Sequence, residues 1–324
     1  MNIFLEKILE ILCKQDNFHI IVHMFPDGDA IGSAVALCRA LQNLGKKAWV
    51  ISPTAIPEKF LFMLKYIQKY DIIYENFVSI CVDVASLSRI RGLNYSKIDI
   101  CIDHHITNEN YADVTYNNTS AANTENIYKL LENLCNIQPE NINLIIDNYV
   151  AECIYIGIIT DTGRFKYTNV TKNTFKIAYN ICEMIQNFED LNRKIFYDYS
   201  INFVKFKHNF LNKAEYFFDN SCILGTVLLK DMEYFGVNYD ELANISSMFL
   251  DIKDVKIGIV LKEKENKIFK VSVRTKKNIN TLKICTFFGG GGHENACGFE
   301  VSGELENIKT EILVKLSEYV FLDK

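Results

Sequence analysis

FHIIVHMFPDGDAIGSAVALCRALQNLG, residues 18–45, is the stretch from which the rest of the chain is read. FHIIVHM is a continuous apolar run, the pattern of a strand buried on both faces of a sheet. PDGD is a turn sequence. AIGSAVALCRALQNLG then repeats its apolar residues at helical spacing, and Gly45 provides a left-handed stop. Strand, turn and helix in this order open a βαβ unit.

The same alternation continues outward. KKAWVIS reads as a second strand and PEKFLFMLKYIQKY as a helix starting at Pro57. FVSICVD (77–83) and DICID (99–103) are further buried strands, with helical patterns near 120–135, 141–159 and 172–186 and an amphipathic helix over 3–14. The expected fold is α/β, with an N-terminal, Rossmann-like domain built on a parallel sheet. From 186 to 215 the text is polar and aromatic without a strand signal, which predicts a helical connector. SCILGTVLLK, VKIGIVLKE, KIFKVSVRT and ACGFEVSG then read as strands and 304–320 as a closing helix, a smaller α+β domain. The expected boundaries are therefore 1–185, 186–215 and 216–324, two lobes around a cleft.

Composition narrows the class. Of 324 residues, 49% are apolar and only four are Pro, which excludes a disordered chain. No uncharged apolar run approaches the ~20 residues that span a bilayer, and MNIFLEKILE has acids where a signal peptide has none. Ten cysteines are scattered without a CxxC pair, so free thiols, a reducing compartment and a cytoplasmic location are expected. The net charge of −5 conceals a stretch, 251–283, of net +6. A hairpin with alternating lysines is its simplest reading, and a lobe facing an anionic partner the other.

In an open parallel sheet, ligands bind beyond the carboxyl ends of the strands. Those ends carry His23, Asp27 and Asp29 (HMFPDGD), Asp83 (ICVD) and Asp103, His104 and His105 (IDHH), while the helix over 141–159 runs into Asp161. Each motif alone can be a cap or a turn. Together they crowd carboxylates that must take up protons or bind cations. Oxygen donors with a few imidazoles suit Mn²⁺ or Mg²⁺. Paired ions of this kind serve phosphoryl hydrolysis. A second signal is GGGGHENACGFEV (289–301), a glycine run able to aim N–H groups at an anion, with a helix expected just after it. His293 closes the run, and Arg274 in SVRT suits phosphate. Phe165, Tyr167, Phe287 and Phe288 are candidate base-stacking rings, for which core packing is the simpler reading.

In this order the motifs resemble the DHH phosphoesterase superfamily with its DHH-associated C-terminal domain. The resemblance implies a metal-dependent enzyme, a phosphodiesterase or phosphatase, that hydrolyses very short oligonucleotides, linear di-adenylate or 3′-phosphoadenosine 5′-phosphate to mononucleotides. It implies two divalent ions, typically Mn²⁺ with Mg²⁺ or Co²⁺ as substitutes. His23, Asp27 and Asp83 would hold one, and Asp29, Asp83, His104 and Asp161 the other, with Asp83 bridging. Asp83, Asp103, His104 and His105 would form the catalytic group, Asp103 orienting the histidines and His105 lying near the phosphate. Arg274, Gly290, Gly291, Gly292 and His293 would grip a substrate phosphate. A homodimer is implied, with neither long nucleic acid nor membrane as partner. A manganese pyrophosphatase-like hydrolase and a non-catalytic dinucleotide binder are the alternatives. Val84 stands where Thr is common and Asn123 where Ser is, neither expected at a ligand.

Overall fold

The computed structural model describes residues 2–69, 76–242, 245–276, 279–293 and 295–321, without the side chains of 240, 293, 320 and 321. The chain divides into two compact units, Met1–Asp198 and Tyr199–Lys324. In the first, α1 (Ile3–Lys14), β1 (Asn17–Ile21), α2 (Gly28–Asn43), β2 (Lys47–Ile51), β3 (Val78–Val82), β4 (Ile100–Asp103) and β5 (Val114–Asn117) follow in order. After them come α3 (Asn123–Ile137), α4 (Ile142–Ile145), α5 (Asn148–Asp161), α6 (Lys172–Cys182) and α7 (Phe188–Phe196). The five strands form one fully parallel sheet in the order β2-β1-β3-β4-β5. The expected α/β fold is what the chain adopts.

Local chemistry sets these elements. Asp27 caps α2, accepting from the N–H groups of Asp29 and Ala30 at 3.1 Å. Asp147 caps α5 through the Val150 N–H at 2.9 Å, and Arg39 holds that carboxylate at 2.6 Å. Helix α2 packs on α5 through glycine. A Cβ on Gly32 would lie 2.6 Å from the Cys153 carbonyl, and one on Gly157 would lie 2.7 Å from Asp29 Oδ1. The missing side chains let the two helices approach closely.

Several expectations need correction. The segment after Pro57 is not an α-helix but 3₁₀ turns over Glu58–Tyr66. Its two buried residues, Phe60 and Met63, stand three apart, the period of the tighter helix. The helix expected over 141–159 is broken into α4 and α5, bent by 61°. Strand β5 was not anticipated; it is short and carries Tyr116 to the core. Among the described residues, no single helix is long and apolar enough to cross a membrane.

The second unit holds α8 (Ile201–Asn212), β6 (Glu215–Phe217), β7 (Cys222–Val227), α9 (Leu229–Phe235), β8 (Ile257–Glu265) and β9 (Ile268–Thr275). It ends with α10 (Leu282–Phe287), β10 (Gly291–His293), β11 (Ala296–Ser302) and α11 (Leu305–Leu316). Its mixed sheet runs β10-β11-β9-β8-β7-β6, backed by α10 and α11. Most of the basic stretch forms the antiparallel β8–β9 hairpin. Its lysines are largely engaged: Lys264 pairs with Glu300 at 3.0 Å, Lys267 with Glu304, and Lys276 donates to the Ile252 and Lys253 carbonyls. One cysteine pair departs from the expectation of free thiols. Cys285 on α10 and Cys297 on β11 are bonded, with Cα atoms 6.2 Å apart, because the intervening hairpin folds one onto the other.

Candidate metal centre

The strand order places β2 and β3 on either side of β1, so the topological switch lies at the carboxyl ends of β1 and β3. His23 follows β1, Asp83 follows β3 directly, and Asp103 ends β4 with His104 and His105 behind it. Asp29 sits in the first turn of α2, and Asp161 is the last residue of α5.

These side chains gather into three groups whose ligating atoms lie within 4.8 Å of one another: His23, Asp27 and Asp83; Asp29, His104 and Asp161; and Asp83, His104 and His105. Asp83 belongs to two of them and turns its two oxygens to different neighbours. Oδ2 lies 3.7 Å from His23 Nε2, and Oδ1 lies 3.3 Å from His104 Nε2. Around His104 Nε2, Asp29 Oδ2 and Asp161 Oδ2 both stand at 3.9 Å. Asp83 adopts a left-handed backbone (φ 58°), uncommon for a residue other than glycine and a recurrent feature of functional sites.

The histidines are oriented by backbone and carboxylate acceptors. His23 Nδ1 donates to the Met24 carbonyl at 2.8 Å and His104 Nδ1 to the Ser120 carbonyl at 3.1 Å, which leaves each Nε2 facing the carboxylates. His105 Nδ1 donates to Asp103 Oδ1 at 2.8 Å, so Asp103 orients this ring.

The electrostatics are those of a cation site. Burial, and then the charge of Asp29, push Asp83 well above the carboxylate range. Burial likewise raises Asp29 and takes Asp161 up to about 8. For His104 burial opposes the charged form, yet Asp83, Asp29 and Asp161 outweigh it and bring the imidazole up to about 11. Burial lowers His23, keeping its imidazole neutral. Asp83 Oδ1 is buried without a hydrogen-bond partner, an acceptor that a cation satisfies. The donor set of oxygens and imidazole nitrogens therefore fits divalent ions.

Some members were not legible in the sequence. Asp29 accepts from the backbone N–H groups of Asn123 and, at 2.9 Å, Thr124, so Asn123 does touch a candidate ligand through its main chain. Arg89 places Nη2 3.1 Å from His23 Nδ1. Asn108 is buried and donates to Asp103 Oδ2 at 2.6 Å. With the bond from His105 it offsets the burial of Asp103 and holds its carboxyl below the usual range. Asn108→Ala is expected to lower metal-dependent activity about 10- to 100-fold, as loss of such outer contacts does. Mn²⁺ titrations of rate on the variant check this; an unchanged rate and affinity sinks it.

Arg274 lies on β9 and donates to the carbonyls of Val273 at 3.0 Å and, more weakly, Cys297 at 3.4 Å. Helix α10 precedes the glycine run, and the strand expected over ACGFEVSG follows as β11, in place of a helix start. The N–H groups of Gly289 and Gly290 are taken by the Thr286 and Cys285 carbonyls, while Gly291 and Gly292 pair in the β10–β11 hairpin. The side chain of His293 lies outside the described residues. Phe165 stacks on Phe175 and Phe288 on Phe299, which favours packing for both rings; Tyr167 and Phe287 are half exposed.

Residues 17–158 match the DHH family, N-terminal domain, and residues 222–320 match the DHHA1 domain. The chain carries a DHH N-terminal domain followed by a DHHA1 domain. Among relatives of this DHH protein, a bifunctional oligoribonuclease and PAP phosphatase NrnA from Thermus thermophilus is 26% identical over 305 residues, 93% of this chain and 89% of its own. The protein of that name from Bacillus subtilis is 25% identical, covering 91% of this chain and 92% of its own. An exopolyphosphatase-related protein from Bacteroides fragilis superposes with a TM-score of 0.87 at 25% identity, over 98% of this chain and 97% of the other. In this DHH chain the first match spans every candidate ligand except Asp161. The second spans Arg274 and the glycine run.

Proposed function

We propose that the protein is a two-metal phosphodiesterase that releases mononucleotides from very short oligoribonucleotides and also hydrolyses 3′-phosphoadenosine 5′-phosphate. The observation that carries this reading is Asp83, whose two buried oxygens face two separate His/Asp groups while Oδ1 lacks a hydrogen bond. In this proposal His23, Asp27 and Asp83 hold one ion, and Asp29, Asp83, His104 and Asp161 the other. Mn²⁺ is the ion we assign, since mixed oxygen and imidazole donors suit it. Bound there, such ions lower the pKa of water and neutralise charge on a phosphoryl oxygen.

The chain's own groups supply the rest. The neutral His23 imidazole presents Nε2 because Met24 holds its other nitrogen. Asp103, fixed by Asn108, orients His105 toward a substrate phosphate. Arg274, Gly290, Gly291, Gly292 and His293 are proposed to hold the substrate's other phosphate. We assign metal binding to 1–185, the connector to 186–215 and substrate binding to 216–324. A cytoplasmic homodimer is part of the same reading. The DHHA1 match favours it over a pyrophosphatase-like second lobe.

The test is hydrolysis with Mn²⁺ of 5′-phosphorylated di-adenylate, a five-nucleotide RNA, 3′-phosphoadenosine 5′-phosphate, cyclic di-AMP and pyrophosphate. Release of AMP from the dinucleotide is expected to be fastest. Cleavage of pyrophosphate alone, or tight binding without turnover, overturns the proposal.

A further inference from the structure

Phe25 lies between two candidate ligands, His23 and Asp27, and is 73% exposed. Its backbone is left-handed, φ 56°. For a residue other than glycine this conformation is strained, and an exposed phenyl ring recovers little of that strain through burial. Stability alone favours Gly or Asn at this position.

The loop is nevertheless pinned. The Phe25 N–H donates to Thr54 Oγ1 at 2.7 Å, the Met24 N–H donates to the Arg89 carbonyl at 2.8 Å, and Pro26 is buried. The ring is thus presented to solvent from a fixed backbone. On the neighbouring turn Arg89, an exposed residue, places its guanidinium 3.1 Å from His23 Nδ1, whose proton already goes to Met24. Among the described residues, no carboxylate forms an ion pair with Arg89. An exposed π-face, a cation and metal ligands on one loop and its neighbour match the base and phosphate of a nucleotide.

We propose that Phe25 is the stacking platform for a nucleobase of the substrate whose phosphodiester lies at the metal centre, with Arg89 meeting that phosphate. This rests on the phosphodiesterase reading above, and it makes Phe25 a specificity-determining residue.

The experiment compares 5′-phosphorylated di-adenylate with the same diribonucleotide lacking both bases, on the unsubstituted protein and on Phe25→Ala, Phe25→Gly and Phe25→Trp. Base stacking on aromatic rings implies that Phe25→Ala loses about tenfold more kcat/KM on the di-adenylate than on the abasic substrate, mainly through KM. Phe25→Trp retains the preference. Phe25→Gly shows the same selective loss while its Tm rises, which a merely structural role does not produce. Equal losses on both substrates overturn the proposal.

A second readout needs no turnover. The indole of Phe25→Trp is expected to be quenched by a phosphorothioate-linked di-adenylate and not by its abasic counterpart, with the unsubstituted protein as the blank for Trp49. If the unsubstituted protein cleaves neither substrate, the phosphodiesterase reading has failed. Quenching then decides the base contact by itself, its presence supporting the platform and its absence removing it.

Discussion

Asp83→Asn is expected to lower Mn²⁺-dependent hydrolysis of 5′-phosphorylated di-adenylate by at least about a thousandfold while leaving the fold intact. Asn keeps the shape of the side chain and tolerates the left-handed backbone that Asp83 adopts, φ 58°, better than Ala does. What it loses is the charge shared between two groups, because an amide offers one oxygen where the carboxylate offers two. One of the two histidine-facing positions, 3.7 Å from His23 or 3.3 Å from His104, is then filled by an NH₂ donor. Without metal the same substitution removes a buried carboxyl group that burial and Asp29 both oppose. The metal-free Tm is therefore expected to hold or rise, and the gain in Tm on adding Mn²⁺ to shrink. Initial rates and thermal melts with and without EDTA measure both. Retention of wild-type turnover removes Asp83 from the bridging position.

Metal affinity is expected to rise steeply with pH between 6 and 8. Asp161 is brought from an ordinary 3.8 up to about 8, first by burial and then by Asp29. His104 is carried from 6.5 up to about 11 by its carboxylate neighbours, which overcome the opposing effect of burial. Both groups bind a proton more tightly in the folded, metal-free protein than in the unfolded chain. Their contribution to stability is therefore full below the unfolded values, and it is lost as pH rises through about 8 for Asp161 and about 11 for His104. A cation must displace these protons to reach the same atoms. Each proton displaced makes affinity change about tenfold per pH unit. Calorimetric titration with Mn²⁺ in buffers of different ionisation enthalpy counts the protons directly. An affinity independent of pH, or no proton release, contradicts the site.

Much of the fold could be read because parallel strands write their burial locally. FHIIVHM, FVSICVD and DICID have apolar centres, and most of their residues occupy β1, β3 and β4. The segment after Pro57 is ambiguous in sequence because an apolar pair three apart suits an α-helix and 3₁₀ turns alike. The glycine run is ambiguous for a different reason. Glycine permits many backbones, and only the pairing of Gly291 with Gly298 and of Gly292 with Cys297 selects a hairpin.

The candidate site divides in the same way. The sequence alone determined which donors exist and on which strand ends they stand, since a ligand-bearing turn follows its strand within a few residues. Tertiary structure decided how those donors meet. That Asp29 is held by the N–H groups of Asn123 and Thr124, that Asn108 grips Asp103, and that Arg89 reaches His23 are all contacts between segments. The close glycine packing of α2 on α5 brings Asp29 and Asp161 each to 3.9 Å from His104 Nε2. Whether Phe25 is buried or presented to solvent likewise depends on Thr54 and Arg89, which clamp its loop from other turns. Burial patterns are periodic and local, whereas the direction of one carboxylate oxygen depends on side chains and backbone that only the folded chain brings together.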